Sequence, residues 1–241
     1  MLIHFTKELS NIISILESSS FMLGYCSEYF GEKNQIVSSA AHPMVCFSEF
    51  TDSELSSKTI TYGKYAIAMK KTWAITNELS PVLYIERNSQ AAVGLASLLK
   101  ARQKHGKDAI PKNLRLPIMQ IKCFTKHETG YNSYFDHDNF CFKDENEWRY
   151  IPTKEKIGGG YISLNRKTFI NNKEKYNNRL KPYPLRFEYS DIEFIYVKTD
   201  EEIKMIIEKF NQLKSKLKHS EWTLQLSDKT QPYAGALSNR V

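Results

Sequence analysis

Phe142-Lys143-Asp144-Glu145-Asn146-Glu147-Trp148-Arg149-Tyr150 is the stretch from which the rest of this 241-residue chain is read. The carboxylates of Asp144, Glu145 and Glu147 and the amide of Asn146 run directly into Trp148, Arg149 and Tyr150. Large and polar residues alternate after Glu147, which predicts a strand. Side-chain direction repeats every second residue in an extended backbone, so Glu145 and Glu147 are expected to point the same way. A carboxylate at the mouth of a strand, held by a tryptophan and flanked by an arginine, is a place for chemistry. The plain alternative is a solvated acidic turn entering a sheet, because runs of charge usually lie on the surface.

Outward from that stretch, the totals set the class. A hydrophobic share of 41% with 25% charged residues fits an ordinary globular protein with enough apolar material for a core. No apolar run is long enough to span a membrane, and Met1-Leu2-Ile3-His4 does not read as a secretory signal. Cys26, Cys46, Cys123 and Cys141 are scattered, which predicts reduced thiols and a cytoplasmic protein. The net charge of +7 favours an acidic partner, such as a nucleic acid, a dinucleotide or an acidic protein, without selecting among them.

Apolar periodicity then places the elements. Leu2 to Phe5 reads as a strand, and Thr6 is expected to cap a helix whose apolar face is Leu9, Ile12, Ile13 and Leu16. Ala41-His42-Pro43 is expected to break the chain before a compact strand at Met44 to Phe47. A helix capped by Thr51 or Asp52 follows, then a turn at Tyr62-Gly63 and a strand from Tyr65 to Met69. Residues 73–78 read as a short helical turn, Val82 to Glu86 as a strand and Ser89 to Arg102 as a helix. Lys104 to Leu116 reads as an exposed connection, Ile118 to Phe124 as a strand, and Lys126 to Asn139 as a polar excursion. Asn165 to Leu180 reads as a loop or poor helix. Ile192 to Val197 is the clearest strand, and Glu201 to Lys218 the clearest amphipathic helix. The expected organisation is one domain over residues 1–219 and a polar tail over 220–241 that docks a partner.

Metal and nucleotide signatures are weak. Cys123 and His127, with His137 and Cys141, form a mirrored pair that a hairpin could bring together, but the spacing is no common zinc signature. Gly158-Gly159-Gly160 lacks the spacing of a phosphate loop and reads as a flexible turn. No metal site is expected.

Three blocks carry a resemblance. They are His4-Phe5-Thr6, the run from Ala41 to Glu49 with Tyr62 to Glu86, and Glu145-Asn146-Glu147-Trp148-Arg149. Over roughly the first 155 residues the chain resembles the AbiGi-type abortive phage-resistance proteins, whose members are described as antitoxins. More distantly, the order of blocks is similar to that of ADP-ribosyltransferases. That likeness implies an α+β fold of two small twisted sheets split around a cleft, with helices outside, and NAD as co-substrate. It implies that Glu147 is the catalytic glutamate and Glu145 the upstream acid. It further implies that His4, Thr6 and one of Tyr62 or Tyr65 hold the ribose and nicotinamide. A long insertion between Ile85 and Cys141 departs from the pattern.

Such a mechanism is sound on chemical grounds. Cleavage between ribose and nicotinamide develops oxocarbenium character, which a carboxylate beside the ribose stabilises. Lys70, Lys71 or Arg149 would meet the pyrophosphate. The expectation is therefore an NAD-dependent mono-ADP-ribosyltransferase toxin of a phage-defence system. Its acceptor would be a nucleic acid, RNA before DNA, or a protein, and a neutralising partner would control it. The alternative is a non-catalytic antitoxin or binding module of such a pair.

Overall fold

The structure is a computed structural model and describes residues 1–32, 35–57, 62–105, 110–216 and 230–232. The fold is α+β, and the chain divides into two compact units. The first comprises Met1–Met22, Cys46–Leu79 and Pro184–Val241; the second comprises Leu23–Val45 and Ser80–Tyr183. The strand Gln35–Glu49 contributes residues to both.

The first unit is built on the strand Leu2–Thr6. It lies antiparallel to Tyr65–Met69, with Leu2 opposite Met69 and Thr6 opposite Tyr65, and to the end of Gln35–Glu49, with Leu2 opposite Glu49. Tyr65–Met69 also pairs antiparallel with Ile192–Val197. Tyr65-Ala66-Ile67-Ala68-Met69 is buried throughout, as a strand covered on both faces must be. The helix Leu9–Ser18 buries Ile12 and Leu16, as its periodicity predicts, together with Ile15, while Leu9 and Ile13 of the expected face are half-buried. Ser19 ends it in the left-handed conformation, with φ 46°. The expected cap at Thr6 does not form. Thr6 stays on the strand and accepts from Asn11 Nδ2 at 2.6 Å, while the cap position is Glu8, which makes no side-chain capping bond. Thr51 does cap its helix: Glu54 N–H donates to its hydroxyl at 3.3 Å, and Thr51 N–H donates back to the Glu54 carboxylate at 2.8 Å. That reciprocal pair satisfies two donors at once. The helix Asp200–Lys216 carries Asp200, Glu201 and Glu202 in its first turn, where carboxylates complement the helix dipole. Of the tail, Thr230–Pro232 pairs in parallel with Ile192–Val197; residues 217–229 and 233–241 lie outside the described residues.

The second unit centres on a long hairpin. Gly24–Glu32 pairs antiparallel with Gln35–Glu49 from Gly24 opposite Met44 to Phe30 opposite Ser38, after which a bulge shifts the register. The expected break at Ala41-His42-Pro43 is absent, because Pro43 sits within the ladder opposite Tyr25. Leu164–Asn165 pairs with the same strand at Ala41 and Ala40. Glu147–Tyr150 pairs with Ser80–Pro81, and Leu83–Ile85 runs parallel to Thr125–His127.

Two helices, Gln90–His105 and Lys112–Cys123, cover this unit. Ala92, Leu95, Ala96, Leu99, Ile118 and Met119 pack there with Phe30 and Val37. The second helix replaces the expected exposed connection and strand. Ile118, Met119, Lys122 and Cys123 are its buried residues, a spacing of one helical face and not of a strand. The expected polar excursion after Lys126 contains an antiparallel pair, Thr129–Asn132 with His137–Cys141. Asn165 to Leu180 forms two short helices, Arg166–Ile170 and Lys173–Asn178, the first capped by the Asn165 side chain. No helix among the described residues is long and apolar enough to cross a membrane.

Candidate functional site

The strand Glu147–Tyr150 is buried along its whole length. Glu147 and Arg149 are two residues apart and so share a face. They meet there: Arg149 Nε donates to Glu147 Oε1 at 2.8 Å and Nη2 to Oε2 at 3.0 Å. The same guanidinium donates to both oxygens of Glu28, at 2.5 and 3.1 Å, and to the Cys123 carbonyl at 2.6 Å. A guanidinium has five N–H donors, and these five bonds use them all. Arg149 is 1% exposed, so this saturation is what makes its burial tolerable.

Lys126 extends the network. Its ammonium donates to Glu145 at 2.6 Å and Glu147 at 3.2 Å, and lies 4.2 Å from the centre of the Phe142 ring. Burial alone would lower its pKa, but the carboxylates of Glu147 and Glu145 outweigh burial and raise it. Glu28 shows the converse. Burial would raise its pKa, yet Arg149 and then Lys122 hold it below the usual carboxylate range. Tyr84 closes one side by accepting from Glu147 N–H at 2.9 Å.

Glu145 and Glu147 come together by a route other than the expected one. Glu145 ends a 3-10 turn, Phe142–Glu145, and Asn146 follows in the left-handed conformation, with φ 46° and ψ 51°. The backbone between the two carboxylates is therefore not extended. Asparagine tolerates that conformation better than most residues, and Lys126 gathers the two side chains.

A second buried group adjoins the first. Lys122, 1% exposed, places its Nζ 2.5 Å from His42 Nε2. His42 Nδ1 lies 3.0 Å from the Ile162 carbonyl. Burial, and then the charge of Lys122, pushes the His42 pKa down to about 4. The neutral ring thus donates from Nδ1 to Ile162 and accepts at Nε2 from Lys122. Cys123 Sγ is 3.2 Å from His42 Nδ1, but burial pushes its thiol up to about 12, far from the thiolate that a nucleophile requires.

The remaining predicted residues belong to the first unit. His4 Nδ1 lies 2.9 Å from the Cys46 carbonyl, and its ring packs on Phe21 and Phe47 with centroids 5.1 and 5.5 Å away. Burial lowers its pKa, so the ring is neutral and donates from Nδ1. Tyr65, opposite Thr6, donates its hydroxyl to Glu202 at 2.8 Å under the ammonium of Lys198. Tyr62 is half-buried in the turn before Gly63. The structure thus joins Glu145 to Glu147, and Thr6 to Tyr65 across one strand pair.

Of the cations expected at a pyrophosphate, Lys71 pairs with Glu49 at 2.5 Å, and Arg149 is saturated as described. The mirrored cysteine–histidine arrangement does not assemble: Cys123 faces His42, and His127 stacks on Phe30 with centroids 4.8 Å apart. Among the described residues no group of three or more His, Cys, Asp or Glu side chains is placed to hold a metal ion. Sequence reading missed Glu28, Lys122, Lys126 and His42 as members of the network. The spacing of Glu147 and Arg149 was the only local signal; their other partners are distant in sequence.

Comparison with known proteins places these residues in context. A family model described as "Putative abortive phage resistance protein AbiGi, antitoxin" matches residues 19–198. A protein of Lactococcus lactis subsp. cremoris named "Abortive phage resistance protein AbiGi" is 27% identical over 176 residues, 64% of this chain and 71% of that protein. No solved structure matches. The matched span contains every member of the buried network, whereas His4 and Thr6 precede it.

Proposed function

The chain belongs to the AbiGi family of abortive phage-resistance proteins, and on that premise we propose that it is the antitoxin-type binding module of a phage-defence pair. One observation carries this reading beyond the family description: the carboxylate in the best candidate position for catalysis is already engaged by cations on both oxygens. Glu147 receives N–H donors from Arg149 on both oxygens and a further one from Lys126. A carboxylate that must stabilise a developing cation needs a face turned to the substrate. Glu147 instead balances buried cations, the arrangement of a group that fixes a scaffold.

A second reading draws on the proximity of Glu145 and Glu147. In it, the chain is an NAD-dependent ADP-ribosyltransferase with the split-sheet fold of such enzymes. Glu147 and Glu145 act at the ribose; His4, Thr6 and Tyr62 or Tyr65 hold NAD; and a nucleic acid or protein is the acceptor. One experiment separates the two. The chain is expressed briefly on its own, growth is followed, and total RNA, DNA and protein are analysed by mass spectrometry for added ADP-ribose. The binding-module reading expects normal growth and no adduct, with protection appearing when the toxin of the pair is co-expressed. An adduct formed by the wild type and lost in Glu145→Gln would establish the transferase instead.

A further inference from the structure

The second unit holds a pocket that shares no residue with the ion network. Ser38, Leu99, Arg102, Met119, Ser163 and Asn165 line it, and among the described residues its walls carry one cation and no carboxylate. Arg102 is exposed and rests Nη1 on the Met119 sulfur at 2.8 Å, an uncharged and weak acceptor. This contrasts with Lys100, two residues earlier, which pairs with Glu32 at 2.6 Å. Among the described residues, the hydroxyls of Ser38 and Ser163 take part in no hydrogen bond. Asn165 accepts from Thr168 N–H through Oδ1 at 3.3 Å, which leaves its NH2 group to donate.

We propose that this pocket binds the phosphate group of a small phosphomonoester. A guanidinium, two hydroxyls and an amide are more donor groups than the two oxygens of a carboxylate use well. They match the several oxygens of a phosphate, which arginine also holds bidentately. Leu99 and Met119 offer an apolar wall to the organic body. The cavity volume of about 240 Å³ is below the range of drug-sized sites, so the body is short. This site stands independently of the binding-module reading.

Isothermal titration of the full chain with inorganic phosphate and with glycerol 3-phosphate tests the proposal. Saturable binding of glycerol 3-phosphate, tighter than that of inorganic phosphate, is expected. Arg102→Met, which keeps the apolar contact with Met119, raises Kd by about tenfold or more. The double substitution Ser38→Ala with Ser163→Ala weakens binding about fivefold without touching any charge. Lys100→Met, which removes an equal charge nearby, leaves Kd unchanged. Absence of saturation up to about 10 mM ligand, binding by Arg102→Met equal to wild type, or an equal loss in Lys100→Met would overturn the site. Should Arg102→Met fail to fold by circular dichroism, the serine variant decides alone.

Discussion

Arg149 shows how much a single residue organises here. Removing its guanidinium leaves Glu28 without its ion-pair partner and Glu147 with Lys126 alone, and the loss of one partner from a buried ion pair costs about 3–5 kcal/mol. Arg149→Met is therefore expected to lower the unfolding free energy by that amount, read as a lower urea midpoint with the slope unchanged. Arg149→Lys recovers only a fraction, because an ammonium cannot span two carboxylates and a carbonyl in the planar fork of arginine. His42 makes a prediction in pH. Its folded pKa of about 4 lies below the unfolded 6.5, so its contribution to stability is fully present above the unfolded value. That contribution is lost as pH falls through the folded one, on the order of 3 kcal/mol in all. Thermal melts between pH 7 and 4 should show this slope, and His42→Asn, which has no titrating ring, should flatten it. Of this site the sequence displays Glu147 and Arg149, because a two-residue spacing on a strand is a local signal; it also displays Glu145, but by adjacency alone, since that residue ends a 3-10 turn and is off the strand. Glu28 is 121 residues from Arg149 and carries no local mark of a partner.

Among the elements, those read correctly are the ones whose packing obeys their own periodicity. Leu9–Ser18 and Asp200–Lys216 each have an apolar stripe repeating at the helical period, and Ile192–Val197 is a β-branched and aromatic run. Lys112–Cys123 departs from the expected connection and strand for a physical reason. Its buried face includes Lys122, a residue that sequence reasoning sends to solvent; only the tertiary partner His42 makes that position interior. The helix also contains Pro117. Proline at that point leaves the Asn113 carbonyl without its N–H donor, so Pro117→Ala should stabilise the protein by about 1 kcal/mol or more, readable as a higher melting temperature. The turn before Tyr65–Met69 is less forgiving. A Cβ on Gly63 would lie 2.0 Å from the Thr6 carbonyl oxygen, a backbone atom that cannot swing away. Gly63→Ala should therefore cost about 1–3 kcal/mol, measured by denaturant titration.

At the scale of the molecule, the chain passes between its two units four times, at 22/23, 45/46, 79/80 and 183/184. Each unit nevertheless has its own buried cluster, with Ile3, Ala66 and Tyr196 in the first and Phe30, Leu95 and Met119 in the second. The ion network lies wholly in the second. This separation makes the network's role in stability spatially testable, because proteins open in cooperative segments of unequal stability. Native-state hydrogen exchange on Arg149→Met should accelerate amides in Gly24–Glu32 and Glu147–Tyr150. Tyr65–Met69 and Ile192–Val197 should exchange as in the wild type under conditions where sub-global opening dominates. Equal acceleration in both sets would mean that the four crossings bind the units into one cooperative body, and that the network supports the first sheet as well as its own. Selective acceleration would assign Arg149 and its carboxylates to the second unit alone, where the AbiGi match is continuous from Leu23 to Val45 and from Ser80 to Tyr183.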